Sequence, residues 1–394
     1  MPRRAHPGRY RRGGRGGSRG GGGARLRDAA TGRPPSGEGA TGAPGGTAPP
    51  GSGRPPVRTL FFGSGAFGVP SLERLATHPA VRIVGVVTAP PRPAGRGHRL
   101  RPTPVAEAAR RLGLSILAPP RLRAPEAVAE LLALDPELAV LADYGQLVPA
   151  PLLELPHGAL NLHPSLLPRH RGATPIQAAI LAGDRETGVT LFRMDAGLDS
   201  GPIVARRRVA IADGETAESL ETRLAAVAAD LLAEVLEPWL RGALEPEPQP
   251  ETGATLSRPL RREDGRLDPG RPAVELERQV RALRPWPGAF LETAAGRLGI
   301  HAATVAPAVP GEEPGRLVAA GDGLALATAD GRLELILVQP AGGRVMTGAE
   351  YRRGRPWIVG TAVATAGGTT AAGPTVGAAP RRPGPDGPPE GSLR

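Results

Sequence analysis

Val57-Arg-Thr-Leu-Phe-Phe-Gly-Ser-Gly-Ala-Phe-Gly68 is an apolar, β-favouring run that breaks on a glycine-rich turn and leads into an amphipathic segment. A strand that enters a helix through so tight a turn opens an α/β domain, and glycine there avoids clashes that a side chain would meet. The alternation continues downstream. Short apolar runs predict strands at 59–62, 82–87, 137–142, 159–163 and 188–194. Helices are expected near 69–77, 103–112, 124–133 and 174–182, and a long amphipathic helix near 216–240. The fold class expected over 57–244 is a Rossmann-like α/β domain.

Gly63-Ser-Gly-Ala-Phe-Gly68 also has the spacing of a dinucleotide fingerprint. That reading needs an acidic residue about 20 positions on to hold a ribose hydroxyl. No acid occurs between Glu73 and Glu107, and the second strand runs into Thr88-Ala-Pro90. The turn is therefore read as part of the fold, and no NAD is expected.

Beyond the α/β region, Glu245-Pro-Glu-Pro-Gln-Pro-Glu251 reads as a linker, assigned to 245–256. Short β-favouring segments follow at 289–294, 297–305, 315–320, 323–329 and 332–338, separated by Ala295-Gly296, Asp322-Gly323 and Asp330-Gly331. Asp-Gly pairs between such runs are hairpin signals, and a cluster of this kind predicts a small OB-like β-barrel over 257–360. Residues 1–56 and 361–394 are rich in Gly, Pro, Ala or Arg without hydrophobic period and are expected to be disordered tails.

The tails explain the charge. The chain carries +11 overall, yet eleven Arg against Asp28 and Glu38 fall within residues 1–56, so the globular part is close to neutral. Whole-chain charge then says little about what that part binds. The N-terminal segment has three readings: an Arg/Gly arm on RNA phosphates, a transit peptide, or an over-extended reading frame with translation beginning near Val57. The last is favoured, because ordered pattern begins abruptly there. Cysteine is absent, which excludes disulfides, thiolate metal sites and a cysteine nucleophile. No apolar run approaches the roughly 20 residues of a membrane span, and no secretory signal is visible. A cytoplasmic location is expected.

The densest polar cluster of the ordered chain is Asn161-Leu-His-Pro-Ser-Leu-Leu-Pro-Arg-His-Arg-Gly172. Asn161 is the only Asn of the chain, and Lys is absent altogether, as codon bias would produce. Residues two apart on a strand share a face, so Asn161 and His163 project together at a strand's C-terminal end, where open α/β sheets place ligands. Alone, an Asn-x-His pair is more often structural than catalytic. A second cluster, Met194-Asp-Ala-Gly-Leu-Asp-Ser-Gly201, is a glycine-flanked acidic loop after a strand. Asp199 either bonds its own backbone or faces an imidazole, whose ring it would orient and whose protonated form it would favour. Such groups suit acyl transfer to an amine: the Asn161 amide and His163 would both donate to a developing oxyanion. Ser165 lacks the Gly-x-Ser-x-Gly elbow of a nucleophile, and the seven His show no zinc-ligand spacing.

At these clusters the sequence resembles the methionyl-tRNA formyltransferases. The resemblance rests on the Ser165-Leu-Leu-Pro-Arg-His-Arg-Gly172 loop, Ala173-Thr-Pro-Ile-Gln177, Gly183-Asp-Arg-Glu-Thr-Gly188 and Gly197-Leu-Asp-Ser-Gly201. In the second domain it extends to Arg281-Ala-Leu-Arg-Pro-Trp-Pro287 and Val338-Gln-Pro-Ala-Gly342. It implies 10-formyltetrahydrofolate as donor and initiator methionyl-tRNA as acceptor, with no metal, in a monomer. It implies Asn161, His163 and Asp199 as catalytic residues, Ser165, Leu166, Leu167 and Pro168 as the folate-binding loop, and Arg96 in a tRNA-binding loop. The chain departs from the family at Pro91, often acidic; at Pro164, often Gly; and at Arg258, Arg261 and Arg262, where Lys is frequent. Sugar-nucleotide formyltransferases and formyltetrahydrofolate-hydrolysing domains are the alternatives.

Deleting residues 1–56 is expected to leave turnover nearly unchanged, measured as formyl transfer across a salt series. A large loss restored only at low salt would instead show that the segment contributes to tRNA capture.

Overall fold

The computed structural model describes residues 55–94, 99–364 and 377–378. Its first half is a seven-stranded sheet built around β1 (Val57–Gly63). To one side lie β2 (Val81–Val87) and the short β5 (Ile116–Leu117); β3 (Arg92–Ala94) and β4 (Arg99–Arg101) form a separate hairpin between them in sequence. To the other lie β6 (Leu138–Ala142), β7 (Ala159–His163), β9 (Glu186–Arg193) and β10 (Ile203–Ala210). β1, β2, β5, β6 and β7 run parallel, and β9 turns back antiparallel to β7. The Rossmann-like reading of the sequence stands.

The helices are α1 (Val69–Ala76), α2 (Pro104–Arg111), α3 (Pro125–Leu132), α4 (Ala150–Leu153), α5 (Pro175–Ala182) and α6 (Ala217–Leu240). Proline stands in the first turn of α1 to α5, where the missing N–H costs nothing. In α6, Leu220, Leu224, Leu231 and Val235 recur on one stripe and join Phe61, Val140, Leu160 and Leu162 in the main core. Leu60, Phe62 and Leu141 point the other way, into a second core. Both faces of the central strands are thus covered, as parallel sheets require. No described helix is long and apolar enough to cross a membrane.

The strand β10 was not foreseen. Arg206-Arg-Arg208 hides its alternation, since it is an edge strand whose arginines reach outward to Glu234 and Glu186. The helix α7 (Ala273–Ala282) was also missed, because its buried Ala273, Leu276 and Val280 are spaced among Glu and Arg.

The second half holds the expected antiparallel strands: β12 (Ala289–Thr293), β13 (Gly296–Ala306), β14 (Leu317–Ala320), β15 (Gly323–Ala327) and β16 (Arg332–Pro340). They pair in the order β12-β13-β16-β15-β14 around Leu276, Leu291, Leu298, Leu326 and Leu335. The two free edges are joined by the chain after residue 360, where a disordered tail was expected from 361. Leu317 N–H donates to Thr361 O at 2.9 Å and Val363 N–H to Gly315 O at 2.8 Å, while Ala364 N–H reaches Glu292 O of β12 at 2.8 Å. This closes the barrel and satisfies backbone groups that an open edge would leave unpaired.

The glycine-rich turn after β1 serves the fold, as read from the sequence. A side chain at Gly63 or Gly68 would come within 2.8 or 2.7 Å of Ala142 O, at the end of β6. The Asp143 carboxylate lies over Gly65 and accepts its N–H, so a side chain there would collide with it. Burial raises the Asp143 pKa, only partly opposed by the Gly65 bond; burial and the nearby Asp143 charge also raise that of Glu221. A carboxyl whose folded pKa is raised stabilises the native state fully below its unfolded value and loses that contribution as pH rises through the folded value. Asp143→Asn is therefore expected to raise the melting temperature at neutral pH, with the gain shrinking as pH falls toward the ordinary value of 3.8. A gain independent of pH would contradict the burial of that charge.

Candidate active site

β7 reads Ala-Leu-Asn-Leu-His, and its alternation decides the site. Leu160 and Leu162 enter the main core, so Asn161 and His163 share the opposite face. Asn161 lies between Leu141 of β6 and Phe192 of β9. It is half-buried, and among the described residues its carboxamide has no hydrogen-bond partner. His163 is 5 % exposed. Its Nε2 stands 2.9 Å from the carbonyl oxygen of His170. A carbonyl only accepts, so Nε2 carries the hydrogen and Nδ1 is the working nitrogen. Facing Nδ1 at 3.7 Å is Oδ2 of Asp199, too far for a hydrogen bond and close enough for an ion pair.

The Asp199 carboxylate is fixed in turn. Its Oδ2 accepts the Gly172 N–H at 2.8 Å, which joins the 194–201 loop to the end of the 163–172 loop. Asp199 itself sits at φ 48°, a left-handed conformation that costs a non-glycine residue about 1–2 kcal/mol. Bonds that hold the loop offset that cost. Gln249 Nε2 donates to Asp199 O at 2.9 Å and to Gly201 O at 2.7 Å. Its Oε1 accepts from Arg171 Nε at 3.1 Å and from a terminal guanidinium nitrogen at 2.9 Å.

The 163–172 loop is held by bonds within it and to its neighbours. Ser165 is fully buried, and its hydroxyl donates to Arg169 O at 2.7 Å. Thr190 Oγ1 of β9 donates to Ser165 O at 2.7 Å and accepts Leu167 N–H at 3.1 Å. His170 Nε2 donates to Asp184 Oδ2 at 2.7 Å, and Arg169 reaches both oxygens of the same carboxylate. Burial alone would raise the Asp184 pKa; the hydrogen bonds and charges of His170 and Arg169 outweigh it and hold the carboxyl below its ordinary value.

Asn161 and His163 thus share one face of β7, and the Asp199 carboxylate stands opposite His163. The four loop residues expected to bind folate are placed less directly. Ser165 and Leu167 are buried, while Leu166 and Pro168 keep some surface. That surface lines a cavity of about 630 Å³ with Arg206, Arg208 and Thr252. None of the catalytic candidates is in its wall, so it is not where the reacting groups would meet. Arg96 lies outside the described residues. Among the described residues, no group of three or more His, Cys, Asp and Glu side chains could hold a metal ion.

Gln249 escaped sequence reasoning, concealed in a stretch read as a linker. The strap is instead docked: Glu247 exchanges both backbone hydrogen bonds with Ile203, at 2.7 and 2.8 Å. Its Pro-x-Pro-x-Pro spacing stiffens an extended chain but does not tell a docked strap from a free one.

Residues 57–236 match the family described as formyl transferase, and residues 259–356 its C-terminal domain. A methionyl-tRNA formyltransferase of Halorhodospira halophila is 47 % identical over 308 residues, covering 78 % of this chain and 99 % of the relative. Another, from Roseiflexus sp. strain RS-1, is 47 % identical over 76 % of this chain and 93 % of its own length. The fold matches an N-formyltransferase from Helicobacter canadensis, solved with folinic acid and dTDP-3-aminofucose. The TM-score is 0.53 at 15 % identity, covering 71 % of this chain and 98 % of that one. Close identity along nearly the whole length of the bacterial relatives, through both halves of the fold, places this chain in the methionyl-tRNA formyltransferase family.

Proposed function

We propose that the protein transfers the formyl group of 10-formyltetrahydrofolate to the α-amino group of methionine on initiator methionyl-tRNA. The observation that carries this reading is the identity of 47 % over 99 % of a relative named for that activity. The geometry of the trio supplies a chemistry to go with it.

The amine nitrogen attacks the formyl carbon; a carbon–nitrogen bond forms and the carbonyl oxygen becomes an oxyanion. The unpartnered carboxamide of Asn161 donates an N–H to that oxygen. Donors already aimed at the developing charge need no reorganisation when it appears. His163 works through Nδ1, since Nε2 is committed to His170 O. Nδ1 takes the proton that the attacking nitrogen must lose and delivers it to the folate nitrogen as that bond breaks, so the proton count is unchanged. Asp199, 3.7 Å away, compensates the charge on the ring while it holds the proton.

Ser165, Leu166, Leu167 and Pro168 are assigned to folate on the family resemblance, although the surface that Leu166 and Pro168 keep lines a cavity whose wall holds none of the trio. Two exposed apolar side chains, Leu147 at 59 % and Leu198 at 55 %, stand on the loops that follow β6 and β9, the strands flanking β7. Exposed leucines in such loops suit a ligand with a flat apolar portion. The Arg96 loop and the barrel are assigned to the tRNA.

Purified protein given 10-formyltetrahydrofolate is expected to formylate Met-charged initiator tRNA. Asn161→Ala and His163→Ala should each lower kcat by about 10²–10³-fold, the usual cost of one such donor, with native circular dichroism retained. Product formed from an amino-sugar nucleotide and not from the tRNA would overturn the acceptor assignment.

A further inference from the structure

The Gln249 carboxamide is fully bonded: two N–H groups go to two carbonyls, and its oxygen accepts from two guanidinium nitrogens. Carbonyls only accept and a guanidinium only donates, so the amide has a single possible orientation. The carbonyls belong to Asp199 and Gly201, on either side of Ser200. The guanidinium is that of Arg171, the residue before Gly172, whose N–H holds Asp199 Oδ2. One side chain therefore fixes the backbone that carries the carboxylate and the segment that carries the carboxylate's donor.

The strap that brings Gln249 there is braced around it. The prolines at 246, 248 and 250 leave Glu247 and Gln249 as the residues between them with N–H groups, and Glu247 uses its own on Ile203. Further along, Thr255 Oγ1 accepts the His170 N–H at 2.8 Å, and Leu256 of β11 (Thr255–Ser257) pairs with Arg171 in β8 (Arg171–Gly172). The strap thus follows the 163–172 loop along the stretch that ends at Asp199's donor.

We propose that Gln249 is a positioning residue for formyl transfer, holding the Asp199 carboxylate opposite Nδ1 of His163 from the strap between the two halves of the fold. The inference rests on the formyl-transfer reading of the trio. It differs from a purely stabilising role in acting through the placement of the Asp199 carboxylate, which the variants below test.

Two variants separate the bonds. Gln249→Ala removes all four; Gln249→Glu keeps an acceptor for Arg171 and loses both donors to the loop. Each is expected to lower kcat for formylation of methionyl-tRNA about ten- to a hundred-fold, the range seen when partners that orient site residues are lost. KM for tRNA and for 10-formyltetrahydrofolate should stay within about twofold. Introduced into Asp199→Ala, either change should add almost nothing, since residues acting as a unit are not additive. Hydrogen exchange should quicken at residues 195–201 in both variants, a readout that needs no turnover. Full kcat in Gln249→Ala, a loss confined to KM, an equal loss on top of Asp199→Ala, or unchanged exchange in that loop would each overturn the proposal. A wild-type chain inactive on methionyl-tRNA would count against the acceptor assignment, and the exchange measurement would still decide the role of Gln249.

Discussion

The Asp199 carboxylate faces the His163 imidazole at 3.7 Å, and nearly everything else in the site exists to keep it there. The two groups come from loops that have no reason of their own to meet. The 194–201 loop follows an antiparallel strand and must fold back, and Asp199 pays for the return with a left-handed backbone. Gly172 N–H on one side and Gln249 on the other make the arrangement stable. A bare carboxylate beside a ring would tend to hydration; one bonded to Gly172 N–H, on a loop whose carbonyls Gln249 holds, keeps its aim.

His163 shows how tautomer and function are linked. By tying Nε2 to His170 O, the loop leaves a single nitrogen free to exchange a proton, and that nitrogen is the one Asp199 faces. His170 is itself fixed through Asp184, whose carboxyl is kept ionised by His170 and Arg169. The chain of contacts runs from the protein surface at Arg169 to the His163 ring. Asn161 is the exception in this network. Its carboxamide is spared any protein partner among the described residues, which leaves it free for the donor role proposed for it.

Much of this was legible in the sequence. The Val57–Gly63 strand and the turn after it announced the α/β fold, and period-two alternation in Ala159–His163 put Asn161 and His163 on one face. Asp-Gly hairpins announced the barrel. What stayed hidden has a physical reason in each case. The alternation of β10 was masked by Arg206-Arg-Arg208 because an edge strand needs no apolar face outward. Barrel closure depends on residues 361–364, a run too short to show a period, which contributes backbone hydrogen bonds and the one buried side chain of Val363. Gln249 was unreadable because its importance lies in where four hydrogen bonds end: two on main-chain carbonyls and two on the Arg171 guanidinium, all distant in sequence. Proline-rich composition looks the same whether an extended segment is free or docked.

The account's central claim is that His163 and Asp199 act as one device on the transferred proton. Single-turnover formyl transfer to methionyl-tRNA, measured for His163→Ala, Asp199→Ala and the double variant, tests it most directly. The account predicts that the double variant is about as slow as the slower single one, as for groups that act as a unit. Losses that multiply in the double variant would show two independent contributions and contradict it.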